Sequence, residues 1–269
     1  QTPIHVHAVR KNCKHCSCHA MVRTVLLWRM EIMDQIYLLH REALKSLKRR
    51  IIDKCPICKG DGVVAAKNTK PLDHVLDQCE CVKRFALTKK KILANIPKKN
   101  LNIRVKNLKD LQVIRVDGET KSLYSKIIPI YTKSIVKNGA KGVGVIFFGP
   151  PGNGKTTAIT VIASNIMRST ELSCYYIYFK DLIGLLMQSY DDRSKGILFR
   201  EITSVDVLAI DELSLVSRVT PHMIAEFTSL CKQRHDAEKP TLLISNYSTI
   251  DEIEHNFGHP MASLLNEAF

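Results

Sequence analysis

Eight consecutive residues constrain this chain more than any others: Gly149-Pro150-Pro151-Gly152-Asn153-Gly154-Lys155-Thr156. They follow the buried-strand run Val143-Gly144-Val145-Ile146-Phe147-Phe148 and precede apolar residues at helical spacing, Ile159, Ile162, Ala163 and Ile166. Strand, glycine loop and helix in that order predict a phosphate cradle. Glycines at 149, 152 and 154 let the backbone turn so that successive amides point inward at phosphate oxygens, and the positive end of the next helix adds to the attraction. Lys155 is expected to bridge the outer phosphates and the Thr156 hydroxyl to hold Mg²⁺, with Thr157 beside them among the nucleotide contacts. A chance glycine-rich turn does not account for the agreement of all three parts.

A triphosphate site that turns over also needs a carboxylate near the metal and a base for the attacking water. Val207-Leu208-Ala209-Ile210-Asp211-Glu212 supplies both. An apolar strand ending in two acids puts Asp211 within reach of the Mg²⁺ shell and leaves Glu212 to accept a proton from water. The run Thr241-Leu242-Leu243-Ile244-Ser245 ends at Asn246, and if its strand lies beside the phosphate-loop strand, that carboxamide can orient the water. A strand ending in Asn is otherwise a common turn former, so this role depends on the other two motifs.

With Tyr175 to Phe179 and Val205 to Ile210, these runs make strands that alternate with helical patterns from residue 139 onward. That order predicts an α/β fold: a parallel sheet with helices on both faces. The preceding sequence differs in character. Residues 1–138 hold 29 Lys+Arg against 11 Asp+Glu, whereas residues 139–269 hold 11 against 15, so the whole basic excess lies in the first half. Such an excess fits a polyanionic partner, nucleic acid first, because each cation placed on a phosphate releases condensed counterions. A solvated basic surface and an acidic protein partner are the alternatives.

Three segments are expected: a helical zinc-binding N-terminal domain at 1–85, a basic connector at 86–138 broken at Pro97 and Asp117-Gly118, and the ATPase core at 139–269. Residues 21–52 lack Gly and Pro and space Val25, Leu26, Met33, Ile36, Leu44 and Leu47 as one long helix. Nine cysteines beside a phosphate loop suggest metal ligands in a reducing cytoplasm, not a disulfide framework. Cys55-x2-Cys58 and Cys79-x-Cys81 are the paired thiolates that a tetrahedral Zn²⁺ needs, with His74 able to replace one of them. Cys13, Cys16, Cys18 and His19, with His5, His7 and His15 nearby, form a less regular set for a second zinc. Cys174 and Cys231 read as isolated core residues. No run of eighteen uncharged apolar residues occurs, so no membrane span is expected.

Taken in order, these motifs resemble the AAA+ family, in particular the DnaC/DnaI helicase loaders and the related IstB transposition ATPases. The likeness includes Asp181-Leu182-Ile183 through Ser189-Tyr190, Phe199-Arg200-Glu201, Val205-Asp206 leading into Asp211-Glu212, and Gln233-Arg234-His235 ahead of Pro240-Thr241. The resemblance implies ATP-dependent self-association, single-stranded DNA contact through the ATPase ring, and an N-terminal domain that grips a replicative DNA helicase. Arg193 and Lys195, in a polar loop between the second and third strands, are the candidate DNA contacts.

The family also places an arginine after the Asn246 position and another in a later lid. From Tyr247 to Phe269 there is no arginine, and Leu264 stands where a Ser-Arg-Leu pattern is expected, so the lid is expected to be absent. Arg218 and Arg234 are then the candidates for an inter-subunit role. An arginine finger can raise the rate by orders of magnitude, so nucleotide binding is a firmer expectation than fast turnover.

Overall fold

The computed structural model describes residues 40–66, 76–103, 123–138, 142–214 and 219–269. Four parallel strands form the main sheet: β3 (Val145–Phe147), β4 (Cys174–Tyr178), β5 (Val207–Leu213) and β6 (Thr241–Ser245), in the spatial order β3-β6-β5-β4. The strand carrying the glycine loop therefore lies beside the strand that ends before Asn246. That strand in turn lies beside the one carrying Asp211 and Glu212.

Alternation along the strands divides the core into two layers, as the period of two requires. Val207, Ala209, Leu242 and Ile244 join one cluster with α4 (Lys155–Ser169). Leu208, Ile210 and Leu243 join the other, with α5 (Phe179–Asp191), α6 (Arg193–Ser204), α7 (Pro221–Asp236), α8 (Ile250–Phe257) and α9 (His259–Ala268). Helices thus cover both faces, in agreement with the expected fold class. On α4, Ile159, Ile162 and Ile166 are fully buried, each contributing about 2 kcal/mol of apolar burial. Gly144 admits no side chain, since a Cβ there would strike the carbonyl of Thr241 and the ring of Phe269.

The segment before the sheet differs from the expected connector. Helix α2 (Glu80–Leu93) runs through residue 86 without a break, and Ala94 and Ile96 are buried in the same layer as α4. Asn100, in the short turn Lys98–Asn100 after Pro97, donates to the Thr160 hydroxyl of α4 at 3.0 Å. Helix α3 (Leu123–Asn138) adds Ile128 and Ile135 to that layer. Leu87, Ala94, Ile96, Leu101 and Ile103 explain the packing: Lys98 and Lys99 stay exposed, whereas Lys91 is buried with its amine on the Leu101 carbonyl.

Upstream, residues 40–48 form helix α1, which continues into a wider turn at Arg49–Asp53. Leu44, Leu47 and Ile51 are buried there, as the expected amphipathic spacing requires. The antiparallel pair β1 (Val63–Ala65) and β2 (Leu76–Gln78) completes a small module with the start of α2.

Candidate functional site

Three residues meet where the glycine loop faces β5. The Thr156 hydroxyl donates to Asp211 Oδ2 at 2.7 Å, and the Tyr176 hydroxyl donates to the same oxygen at 2.6 Å. The other carboxylate oxygen accepts the Glu212 backbone N–H at 2.7 Å. Asp211 is buried, and its two oxygens are held by these three donors. Burial, and next the Asp211 carboxylate that its hydroxyl serves, drive the Tyr176 phenol far above the ordinary tyrosine range.

The loop is shaped for an anion. Gly149, Gly152 and Gly154 all have positive φ, at 120°, 90° and 77°. These are conformations that glycine adopts without strain. Gly152 is exposed, and a Cβ there would meet nothing within 4 Å. Helix α4 starts at Gly154 with no side-chain cap, which leaves its first amides to an anion. Pro150 and Pro151 stiffen the exposed rim, and Asn153, Thr156 and Thr157 are half-buried along it. Lys155 is buried, its Nζ donating to the carbonyls of Gly149 and, at 2.7 Å, Pro150. Desolvation lowers its pKa and the nearby Asp211 opposes that shift. The donor set fits a Mg²⁺ nucleotide: a primary amine, helix amides, a hydroxyl and a carboxylate converge.

Glu212 is exposed, unlike its neighbour, and has a φ of 58°. The cause is a bulge. Ile210 pairs with Leu243 and Leu213 with Ser245, so β5 spends one residue more than β6 over this step. Bulges of this kind re-aim side chains, here toward solvent at the mouth of the site. Asn246 follows β6 and is exposed between the glycine-loop strand and β5, while the next residue's carbonyl accepts the Gly149 N–H at 2.9 Å. A cleft of about 290 Å³ lined by Leu93, Met167, Leu172 and Val205 lies at the amino end of β4, away from this constellation.

The second site is the cysteine module. The sulfur atoms of Cys55, Cys58, Cys79 and Cys81 all lie within 4.8 Å of one another and are buried. Cys55 and Cys79 are 3.9 Å apart and Cys58 and Cys81 3.5 Å. Four thiolates around Zn²⁺ at about 2.3 Å stand about 3.8 Å apart, so the set fits a tetrahedral ion. Backbone N–H groups of Cys58 and Ile57 hold the Cys55 thiol down to about 6. Leu47, Ile51, Val64, Val82 and Phe85 pack around the sulfurs.

Several expected residues fall elsewhere. Arg193 and Lys195 are not in a loop but in the first turn of α6, capped by Asp192, whose side chain accepts the Ser194 N–H. Arg234 is ruled out as an inter-subunit residue by its burial. It donates to the carbonyls of Thr203, Val205, Asp206 and Pro240 and to the Thr241 hydroxyl, which ties two loops at the amino end of the sheet. Burial lowers its pKa to about 10. Cys174 and Cys231 are core residues, with thiols pushed up to about 12 by burial. Cys13, Cys16, Cys18, His19, His5, His7, His15, His74 and Arg218 lie outside the described residues. The motifs gave no warning of Tyr176. Alternation in β4 sets Tyr176 and Tyr178 on one face, and only the pairing of β4 with β5, which puts Tyr178 beside Asp211, brings that face to the carboxylate.

Comparison with known proteins agrees with this geometry. Residues 145–258 match the model of the AAA family, the ATPase family associated with various cellular activities. An uncharacterized protein, YqaM of Bacillus subtilis (strain 168), is 27% identical over 188 residues, which cover 67% of this chain and 57% of that protein. Among solved structures, that of the DnaC helicase loader matches with a TM-score of 0.51 at 20% identity, over 64% of this chain and 96% of that one. The DnaI structure matches with a TM-score of 0.44 at 20% identity, over 60% and 89%. Residues 145–258 thus resemble the AAA family, and the fold is one that the DnaC structure shares.

Proposed function

We propose that this protein is an ATP-dependent helicase loader: it binds ATP with Mg²⁺, self-associates on the nucleotide, contacts single-stranded DNA and delivers a replicative DNA helicase in the cytoplasm. The observation that carries the reading is the meeting of Thr156 and Asp211 beneath the glycine loop of an AAA-like domain whose fold the DnaC structure shares. In this reading Lys155 and the amides of 152–156 hold the phosphates, Thr156 and Asp211 hold Mg²⁺, Glu212 takes a proton from water and Asn246 orients that water. Mg²⁺ supplies charge neutralisation on the phosphates when bound.

The four-cysteine module supports the second half of the proposal. A zinc held by Cys55, Cys58, Cys79 and Cys81 stabilises a segment whose own core is small. With the basic excess of residues 1–138, that segment is a surface suited to helicase or DNA. We place the division between this zinc-bearing part and the ATPase part within α2. Arg193 and Lys195, at the start of α6, are the proposed DNA contacts of the ATPase part.

Co-purification tests the partner. The tagged full chain, incubated with a hexameric replicative helicase and ATP, is expected to retain it, and Lys155→Ala to retain far less. Retention of a transposase and not of helicase would replace the loader reading with the IstB-like one. ATP turnover that is undetectable with and without single-stranded DNA would leave a nucleotide-switched binding protein instead.

A further inference from the structure

Tyr176 belongs to none of the nucleotide motifs, yet it is held at both ends. Its hydroxyl donates to Asp211 Oδ2 at 2.6 Å. Its backbone N–H donates to the Ala94 carbonyl at 2.9 Å, and its carbonyl accepts from the Asn95 carboxamide at 2.9 Å. β4 is an edge strand of the sheet, so for one residue the chain after α2 takes the place of a neighbouring strand.

We infer that Tyr176 is a positioning residue for Asp211, and that the end of helix α2 sets its seat, so that the metal side of the nucleotide site is coupled to α2. This rests on the nucleotide reading above.

The end of α2 is built for the purpose. Asn95 sits in the left-handed region at φ 57°, just past the helix. Its N–H donates to Ile92 O and that of Ile96 to Lys91 O, both at 3.0 Å. This is the closing pattern in which a glycine is usual. Asparagine tolerates the turn, and its side chain supplies the bond to Tyr176 that glycine lacks. Ile96 is buried, and Lys91 Nζ donates to the Leu101 carbonyl at 2.8 Å, so the turn is anchored on both sides. The other end of α2 starts at Cys79, with Cys81 in its first turn. Displacement of α2 therefore moves the Tyr176 backbone. A phenol-carboxylate bond weakens steeply once length or angle departs from ideal, and its loss frees Asp211 to rotate from Thr156.

The test is equilibrium binding of a fluorescent ATP analogue to the full chain, with Mg²⁺ and with EDTA. Tyr176→Phe removes only the hydroxyl. It is expected to weaken binding about tenfold in Mg²⁺ and to leave binding in EDTA unchanged, a split that general loss of packing does not produce. Asn95→Gly keeps the left-handed turn and removes the carboxamide, and is expected to shift the Mg²⁺ affinity the same way by less. The double variant is expected to bind no more weakly than Tyr176→Phe alone, because both act through one hydroxyl. Tyr176→Phe matching wild type in Mg²⁺, equal losses in Mg²⁺ and EDTA, or additive effects in the double variant would each overturn the inference. Wild type that binds no nucleotide in either condition would overturn the nucleotide reading itself.

Discussion

Thr156 and Asp211 are 55 residues apart in sequence, yet a 2.7 Å hydrogen bond joins them, hydroxyl to carboxylate. One comes from the first turn of the helix after the glycine loop, the other from the third strand of the sheet. Their meeting turns two separate motifs into a single candidate Mg²⁺ site, because a hard cation takes both oxygens at once. Glu212, next to Asp211, is carried outward by the bulge at the end of β5.

That division of labour makes Glu212 separable from binding. Glu212→Gln is expected to leave ATP affinity within about twofold of wild type and to lower turnover at least about 100-fold, in line with removal of a general base. Phosphate release under saturating ATP, alongside binding to the same preparation, measures both. Unchanged turnover would assign the proton to another group.

Arg234 makes the opposite prediction. Its five bonds satisfy backbone carbonyls and one hydroxyl in a buried place, so Arg234→Ala leaves those acceptors without their charged donor. A loss of about 3 kcal/mol in urea unfolding is expected, with nucleotide affinity per folded molecule retained. Lost affinity at full stability would restore a role at the nucleotide site.

Zinc content tests the cysteine module. Cys58→Ser or Cys81→Ser is expected to remove one zinc per chain relative to the parent, read by atomic emission, and to lower the melting temperature. Equal zinc in parent and variants would mean that Cys55, Cys58, Cys79 and Cys81 are only packed together.

The basic half predicts a salt dependence. Single-stranded DNA affinity is expected to fall at least about tenfold between about 50 and 200 mM salt, as counterion release requires. A flat dependence would remove phosphate contact from the account of that charge.

Much of this arrangement was legible in the sequence because its signals are local. The glycine loop declares itself by adjacent strand and helix patterns, and Cys55, Cys58, Cys79 and Cys81 by pair spacing. What escaped depends on packing between distant segments. Tyr176 reads as one more strand aromatic until β4 and β5 pair and bring its hydroxyl to Asp211. Residues 86–103 read as a basic connector because five lysines stand among apolar positions whose spacing does not announce that they enter the core. Arg234 looked available for a neighbouring subunit, since nothing in its surroundings announces four carbonyls converging from two loops. The outward turn of Glu212 comes from a one-residue mismatch between β5 and β6, which neither strand reveals alone.

The central claim is that the loop at 149–156 and the Asp211 strand form a Mg²⁺-nucleotide site, and isothermal titration of ATP with Mg²⁺ into wild type and Lys155→Ala tests it most directly. Wild type is expected to bind one ATP per chain. Lys155→Ala, checked for folding by its melting curve, is expected to bind at least about 100-fold more weakly, as loss of a buried charged donor to phosphate implies. Equal affinities, or no ATP binding by the folded wild-type chain, would contradict the account.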